Sequence, residues 1–195
     1  MGLELEFKYA LTGPDQLEQL RQALGDAFGP WEAVDMATVY YDTQDKALAA
    51  RCWTLRVRQE NGIPVLTMKT PGPGGARREW ELPGGSLMDL PRLEALGAPP
   101  EVLALGPDQL APQCGARFRR LRCLARLPDV EAELALDQGV LLGGGRERPF
   151  WELEAERKGG SGEALAQWCR NLAMAWALRE EPCSKFVRAA ALGRE

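Results

Sequence analysis

The 195-residue chain contains no histidine. This removes the side chain that titrates nearest neutral pH, and with it His-based triads, His-ligated zinc and imidazole acid–base steps. Any catalysis must rest on carboxylates, Lys, Arg, Tyr, Cys or an imported metal ion. Cysteine is scarce and scattered. Cys52, Cys114, Cys123, Cys169 and Cys183 form no C-x-x-C pair and are odd in number. That disfavours both a zinc site and a disulfide framework, so the five read as small buried apolar residues of a reduced, cytoplasmic protein. Long apolar runs are absent too; none approaches the ~20 residues that cross a bilayer. The opening Met-Gly-Leu-Glu-Leu-Glu has neither the basic nor the apolar region of a signal peptide. Basic excess is also missing. Lys plus Arg is 24 against 28 Asp plus Glu, a net charge of −4, which argues against a nucleic-acid partner. Gly143-Gly144-Gly145 has no helix signal behind it, and reads as a hairpin turn rather than a phosphate loop.

The length suits one domain, residues 1–195. The patterning predicts mostly strands. Residues 3–9, Leu-Glu-Leu-Glu-Phe-Lys-Tyr, alternate apolar and charged with the period of a strand. A helix follows from Thr12-Gly13-Pro14-Asp15 to near Gly25, with Leu17, Leu20 and Leu24 on one face. Strands are predicted over 31–42, 52–59, 63–70 and 77–81, with Asn61-Gly62 as a hairpin turn. Residues 83–113 are rich in Pro, Gly and Leu and carry short helical pieces near 89–97 and 100–110. Strands resume at 115–127 and 129–137, Asp137-Gln138-Gly139 is read as a turn, and a last strand spans 148–158. Helices are expected over 162–179 and 184–192. Trp168, Leu172 and Trp176 stripe the first of these, for core packing or for a homodimer surface.

The informative feature is parity. Glu4, Glu6 and Lys8 share a face, as do Arg56 with Arg58, Arg77 with Glu79 and Glu81, and Arg120 with Arg122. Glu131, Glu133 and Asp137 form another such set, and Glu152 with Glu154 another. The opposite faces are Leu, Val, Phe and Trp. One such strand is simply half-buried with a wet outer face. Repeated over the chain, with charges grouped by type, the pattern predicts an α+β fold: an eight-stranded antiparallel β-barrel with a charged interior and helices on its apolar outside. Such a barrel has room only for side chains or one small ligand. Charge inside it must be paired or meet a ligand. Carboxylates without His suit a hard cation such as Mg²⁺ or Mn²⁺, and clustered Lys and Arg suit phosphate oxygens. Together they describe a metal-bound polyphosphate site.

Glu4-x-Glu6-x-Lys8 resembles the ExExK signature of the CYTH superfamily, the triphosphate tunnel metalloenzymes. The resemblance continues in order along the chain. It runs through YYDTQDKALAARCWTLRVRQENG at 40–62, LTMKT at 66–70, Arg77-x-Glu79, ELALDQG at 133–139, WELEAERKGG at 151–160 and SKFVRAA at 184–190. Within the family the segments look most like those of bacterial inorganic triphosphatases. The departures are Glu156-Arg157-Lys158 at the end of the late strand, and Phe-Val-Arg-Ala after Lys185 in place of the usual Gly. The all-α C-terminal domain often fused to these enzymes has no counterpart in this sequence.

The resemblance implies a tunnel that binds triphosphate with Mg²⁺ or Mn²⁺. Glu4 and Glu6 would ligate the metal, with Glu152 and Glu154 across the tunnel. Glu79, Glu133 and Asp137 would contact metal-bound water or position the bases. Lys8, Arg56, Arg58, Lys69, Arg77, Arg120, Arg122 and Lys185 would hold phosphate oxygens. Arg120 and Arg122 are chosen over Arg119 because they share parity. Glu4, Glu6 and Lys8 would carry the chemistry, the hydrolysis of inorganic triphosphate to pyrophosphate and phosphate. The alternatives are a thiamine or nucleoside triphosphatase, an adenylate cyclase on the same tunnel, and a non-catalytic polyphosphate- or nucleotide-binding module.

Overall fold

Alternating side chains keep the backbone extended through most of this chain. The computed structural model describes residues 2–102 and 105–194. The N-terminal segment is extended as β1 (Gly2–Glu4) and β2 (Glu6–Ala10), interrupted only at Leu5. Helix α1 (Pro14–Phe28) opens on a proline, whose fixed φ suits a first helical turn. Strands β3 (Glu32–Asp42), β4 (Thr54–Glu60), β5 (Ile63–Pro71) and β6 (Arg77–Pro83) form a meander. Asn61 (φ 49°) and Gly62 (φ 84°) make its first hairpin, where two left-handed residues match the strand twist. Short helix α2 (Leu90–Ala95) and 3₁₀ turns at Pro100–Val102 and Pro107–Gln109 occupy the connection; residues 103 and 104 of it lie outside the described residues. Three long strands follow, β7 (Ala111–Leu127), β8 (Val130–Gly143) and β9 (Arg146–Gly160). Then come α3 (Gly162–Trp176), a two-residue β10 (Arg179–Glu180) and α4 (Lys185–Leu192).

One expected turn is absent. Asp137, Gln138 and Gly139 lie mid-strand in β8, paired to Glu152, Trp151 and Phe150 of β9. The chain reverses at Gly144-Gly145, both at positive φ. The Gln138-Gly139 signal is overridden because β8 has a full ladder on either side, to β7 and β9.

All pairings are antiparallel, in the order β1-β6-β5-β4-β3-β7-β8-β9-β2-β10. The hydrogen-bonded ladder does not close on itself. Residues 2–10 nevertheless reach both ends of the sheet: Glu4 pairs with Arg77 of β6, and Glu6 with Glu156 of β9. Leu5 sits at the crossover, where its carbonyl accepts from the Arg157 N–H at 2.9 Å. With β1 and β2 counted as one and β10 as an edge scrap, eight strands wrap the tunnel.

The apolar outside is covered in two patches. Leu17, Leu20 and Leu24 of α1 and Leu165 and Cys169 of α3 pack on Tyr9, Leu134, Leu136 and Leu153. Trp168, Leu172 and Trp176 pack against this same core. Leu90 and Leu93 of α2, with Leu48, cover Leu55, Leu66, Met68 and Trp80. A third cluster is different. Tyr40, Cys114, Ala116, Leu141 and Phe150 share the inward parity of the charged rows, and α4 packs on them through Ala189 and Leu192. Helix α4 therefore fills one end of the barrel. It approaches so closely that a Cβ at Gly143 would lie 2.0 Å from the Ala189 carbonyl oxygen. Of the cysteines, Cys114, Cys123 and Cys169 are buried, but Cys52 is exposed, on a left-handed turn before β4. No helix among the described residues is long and apolar enough to cross a membrane.

Candidate functional site

The inward parity of the strands surrounds a cavity of about 610 Å³. Side chains of β1 and β2 supply Glu4, Glu6 and Lys8. Strand β4 supplies Arg56 and Arg58, β5 supplies Lys69, and β6 supplies Arg77 and Glu79. Strand β7 contributes Arg120 and Arg122, β8 Glu133, β9 Glu154, and the start of α4 Lys185. Two expected site residues do not line the cavity. Asp137 and Glu152 are each 0% exposed and lie behind its surface. Arg122 sits at the mouth, where its guanidinium donates to both oxygens of exposed Glu32 at 3.0 Å.

The first charged group centres on the N-terminal strand. Lys69 Nζ donates to Glu4 at 2.6 Å and lies 3.1 Å from Glu79. Arg56 stands 3.7 Å from Glu79. Arg58 contacts Glu60, and lies 3.2 Å from Glu81. Nε of both Arg56 and Arg58 is buried without a protein partner. Crowding is visible in the protonation of Arg58, whose proton affinity falls through burial and the neighbouring Arg56. Glu6 is held only loosely, with Lys8 Nζ 3.7 Å away. Its carboxyl is pushed up to about 7, first by burial and next by the Glu154 charge, against the pull of Lys8. A carboxylate in that state is not fully compensated by the cations near it. Glu4, Glu6 and Glu154 are all oxygen donors, the set a hard divalent cation takes, so the residues fit such an ion.

The second group is closely ion-paired, although Glu152 Oε1 and Arg188 Nε are buried without a hydrogen-bond partner. Arg120 makes a two-pronged bond to Asp137, at 2.8 and 2.7 Å, and also contacts Glu154. Lys185 Nζ lies 2.8 Å from Asp137 and 2.8 Å from Glu154, and contacts Glu152. Arg188 contacts Glu152 and lies 3.7 Å from Glu181. The rings of Phe118 and Phe150 wall the cluster, 4.9 and 5.5 Å from the ammonium. Burial would lower the Lys185 proton affinity, but Asp137, Glu152 and Glu154 raise it overall. Burial likewise works against the Glu154 charge, yet Lys185, Arg120 and Lys8 hold its carboxyl well below the usual range. Burial pushes the Glu152 carboxyl up, with Lys185 pulling the other way. Oxygens of Asp137, Glu152 and Glu154 lie within 4.8 Å of one another, close enough to share a cation; the Lys185 ammonium takes that place.

Sequence reasoning missed several inward groups. Glu60 and Lys158 continue the charged rows and line the same cavity, as do Glu81 and Glu156, which lie in those rows but were assigned no role. Continuing the parity count would have found them. Arg188 has a different signal: it lies three residues after Lys185, one helical turn on the same face.

The model of the CYTH domain matches residues 2–190. The chain belongs to the CYTH domain family. This CYTH chain is 28% identical over 194 residues to an inorganic triphosphatase of Haemophilus influenzae, covering 97% of this chain and 55% of that protein. It thus spans about half the length of that curated relative. A Hippeastrum candidate adenylyl cyclase that reveals a dominant triphosphatase activity superposes with a TM-score of 0.66 at 18% identity, covering 97% of this chain and 96% of that one. The PH1819 protein of Pyrococcus horikoshii gives 0.63 at 16% identity, covering 98% and 99%. Both share the tunnel fold.

Proposed function

We propose that this CYTH chain hydrolyses the terminal phosphoanhydride of inorganic triphosphate, using Mg²⁺ or Mn²⁺. One observation carries the reading: Lys8, Arg56, Arg58, Lys69, Arg77 and Arg120 converge on one cavity that Glu4, Glu6 and Glu154 also enter. Triphosphate is a compact polyanion. Guanidinium forks and ammonium groups match its oxygens, and the low-dielectric walls strengthen each contact. The 28% identity to an inorganic triphosphatase supports the same substrate.

Arg56 and Arg58 line the cavity and would take phosphate oxygens there. Lys69 and Arg77 would hold the chain of phosphates from the β5–β6 side, and Lys8 from the floor. Arg120 and Lys185 would act mainly by fixing Glu154, to which both are bonded, while Arg122 would guide the anion in at the mouth. Glu4, Glu6 and Glu154 would hold the divalent ion, with Glu79 and Glu133 near its water. The ion, when bound, would offset charge developing on the leaving pyrophosphate and acidify water. The proton of the attacking water would pass to a carboxylate of the set, Glu4, Glu6 or Glu154. No histidine is needed for any step.

The deciding measurement is phosphate release from tripolyphosphate, ATP, thiamine triphosphate and longer polyphosphate, each with Mg²⁺, Mn²⁺ or a chelator. Tripolyphosphate should be preferred, and the chelator should abolish turnover. Cyclic nucleotide from ATP would replace this reading with a cyclase. Binding without any product would replace it with a polyphosphate-binding module.

A further inference from the structure

Asp137, Glu152 and Glu154 look by distance alone like a metal site, but the Lys185 ammonium sits among them and only Glu154 also opens on the cavity. Asp137, Glu152 and Glu154 face Arg120, Lys185 and Arg188, three carboxylates against three cations. A divalent ion added there would leave a buried surplus of two positive charges, or would have to expel Lys185 from a pocket walled by Phe118 and Phe150. Asp137 and Glu152 also do not reach the cavity. Two of the three cations come from one element, α4, and are separated by one helical turn. Lys185 begins this helix, where an ammonium opposes the helix dipole, so the facing carboxylates offset an otherwise unfavourable placement.

We propose that Asp137 and Glu152 are not ligands of the tunnel's divalent ion but the anchor of α4. In this arrangement Arg188 is a positioning residue. By holding Glu152 it removes that carboxylate from the metal set, which is left to Glu4, Glu6 and Glu154. It also pins the helix that brings Lys185 and Phe186 to the cavity wall. The inference rests on the metal-dependent reading above only for the ion itself. The clamp stands on the ion pairs and on the packing of Ala189 and Leu192.

The test pairs Mn²⁺ titration calorimetry with amide hydrogen exchange on the whole chain, for Glu152→Gln, Asp137→Asn, Arg188→Gln and Glu6→Gln. Glu152→Gln and Asp137→Asn should leave the Mn²⁺ Kd within about threefold, and speed exchange over residues 185–192 by about tenfold or more. Arg188→Gln should loosen the same residues. Glu6→Gln should do the reverse, raising Kd by about tenfold or more with α4 protection intact. A tenfold rise in Kd for Glu152→Gln with unchanged protection of 185–192 would overturn the proposal. If that variant does not fold, the Glu152→Gln/Arg188→Gln double variant, which loses one charge of each sign, carries the same two readouts. Wild-type protein that takes no Mn²⁺ would count against the triphosphatase reading, while the exchange results would still decide whether the clamp exists.

Discussion

Two parts of the tunnel use the same side chains for different ends. Around Asp137, Glu152 and Glu154 each charge meets a close counter-charge and each carboxylate meets at least two cations. Around Glu6 the nearest ammonium is 3.7 Å away, and burial with the Glu154 charge raises its carboxyl. Buried charge tolerates the first arrangement because it sums to zero. The second stays costly until a ligand arrives. The contrast teaches that clustering of charge does not mark a binding site; a buried charge without a close partner, such as Glu6, does.

The sharpest way to break the comparison is to empty the unbalanced part. Glu4→Ala with Glu6→Ala should cut kcat/KM for tripolyphosphate by more than about a hundredfold, because several kcal/mol of charge stabilisation leave with the metal; phosphate release measures it. Asp137→Ala tests the balanced part. It leaves Arg120 and Lys185 one carboxylate short, with a net buried positive charge, and should cost about 3 kcal/mol in urea unfolding. Were it to cost nothing, the cluster would not be holding the fold. Arg56→Ala should raise KM by about ten- to hundredfold, as loss of one charge-assisted bond of about 1.5–3 kcal/mol implies, with little change in unfolding midpoint.

Protonation gives a subtler separation. Glu6 in the folded chain titrates at about 7, above the ordinary carboxylate value of 4.5. The folded state therefore binds more protons than the unfolded one between these values, and stability falls as pH rises through that window. Metal-free protein should lose on the order of 1–2 kcal/mol between about pH 5 and 7.5, and Glu6→Gln should flatten the curve. A flat wild-type profile would mean Glu6 is better compensated than its surroundings suggest. At the small end, Arg117→Ala on the outer face removes an exposed pair with Glu147 at 2.6 Å, and should change stability by less than about 1 kcal/mol.

Much of the barrel was legible from residue order. Period-2 rows such as Glu4-Glu6-Lys8 and Arg120-Arg122 have a buried partner row behind them, and the α1 stripe Leu17-Leu20-Leu24 packs where a 3.6 period puts it. Two readings went astray for local reasons. Asp137-Gln138-Gly139 carries turn residues, but paired strands on both flanks outweigh a weak turn preference. Cys52 was expected inside, yet it takes the left-handed corner before β4 and is exposed.

By itself the sequence determined which face of each strand is charged, and so that the charges share an interior. A strand's alternation is a property of its backbone and survives whatever packs around it. Depth along the tunnel is not encoded in parity. Glu152 and Glu154 are two residues apart and share a face, yet only Glu154 reaches the cavity. That difference was decided by tertiary structure, because α4 enters one end of the barrel and brings Lys185 and Arg188 against Glu152.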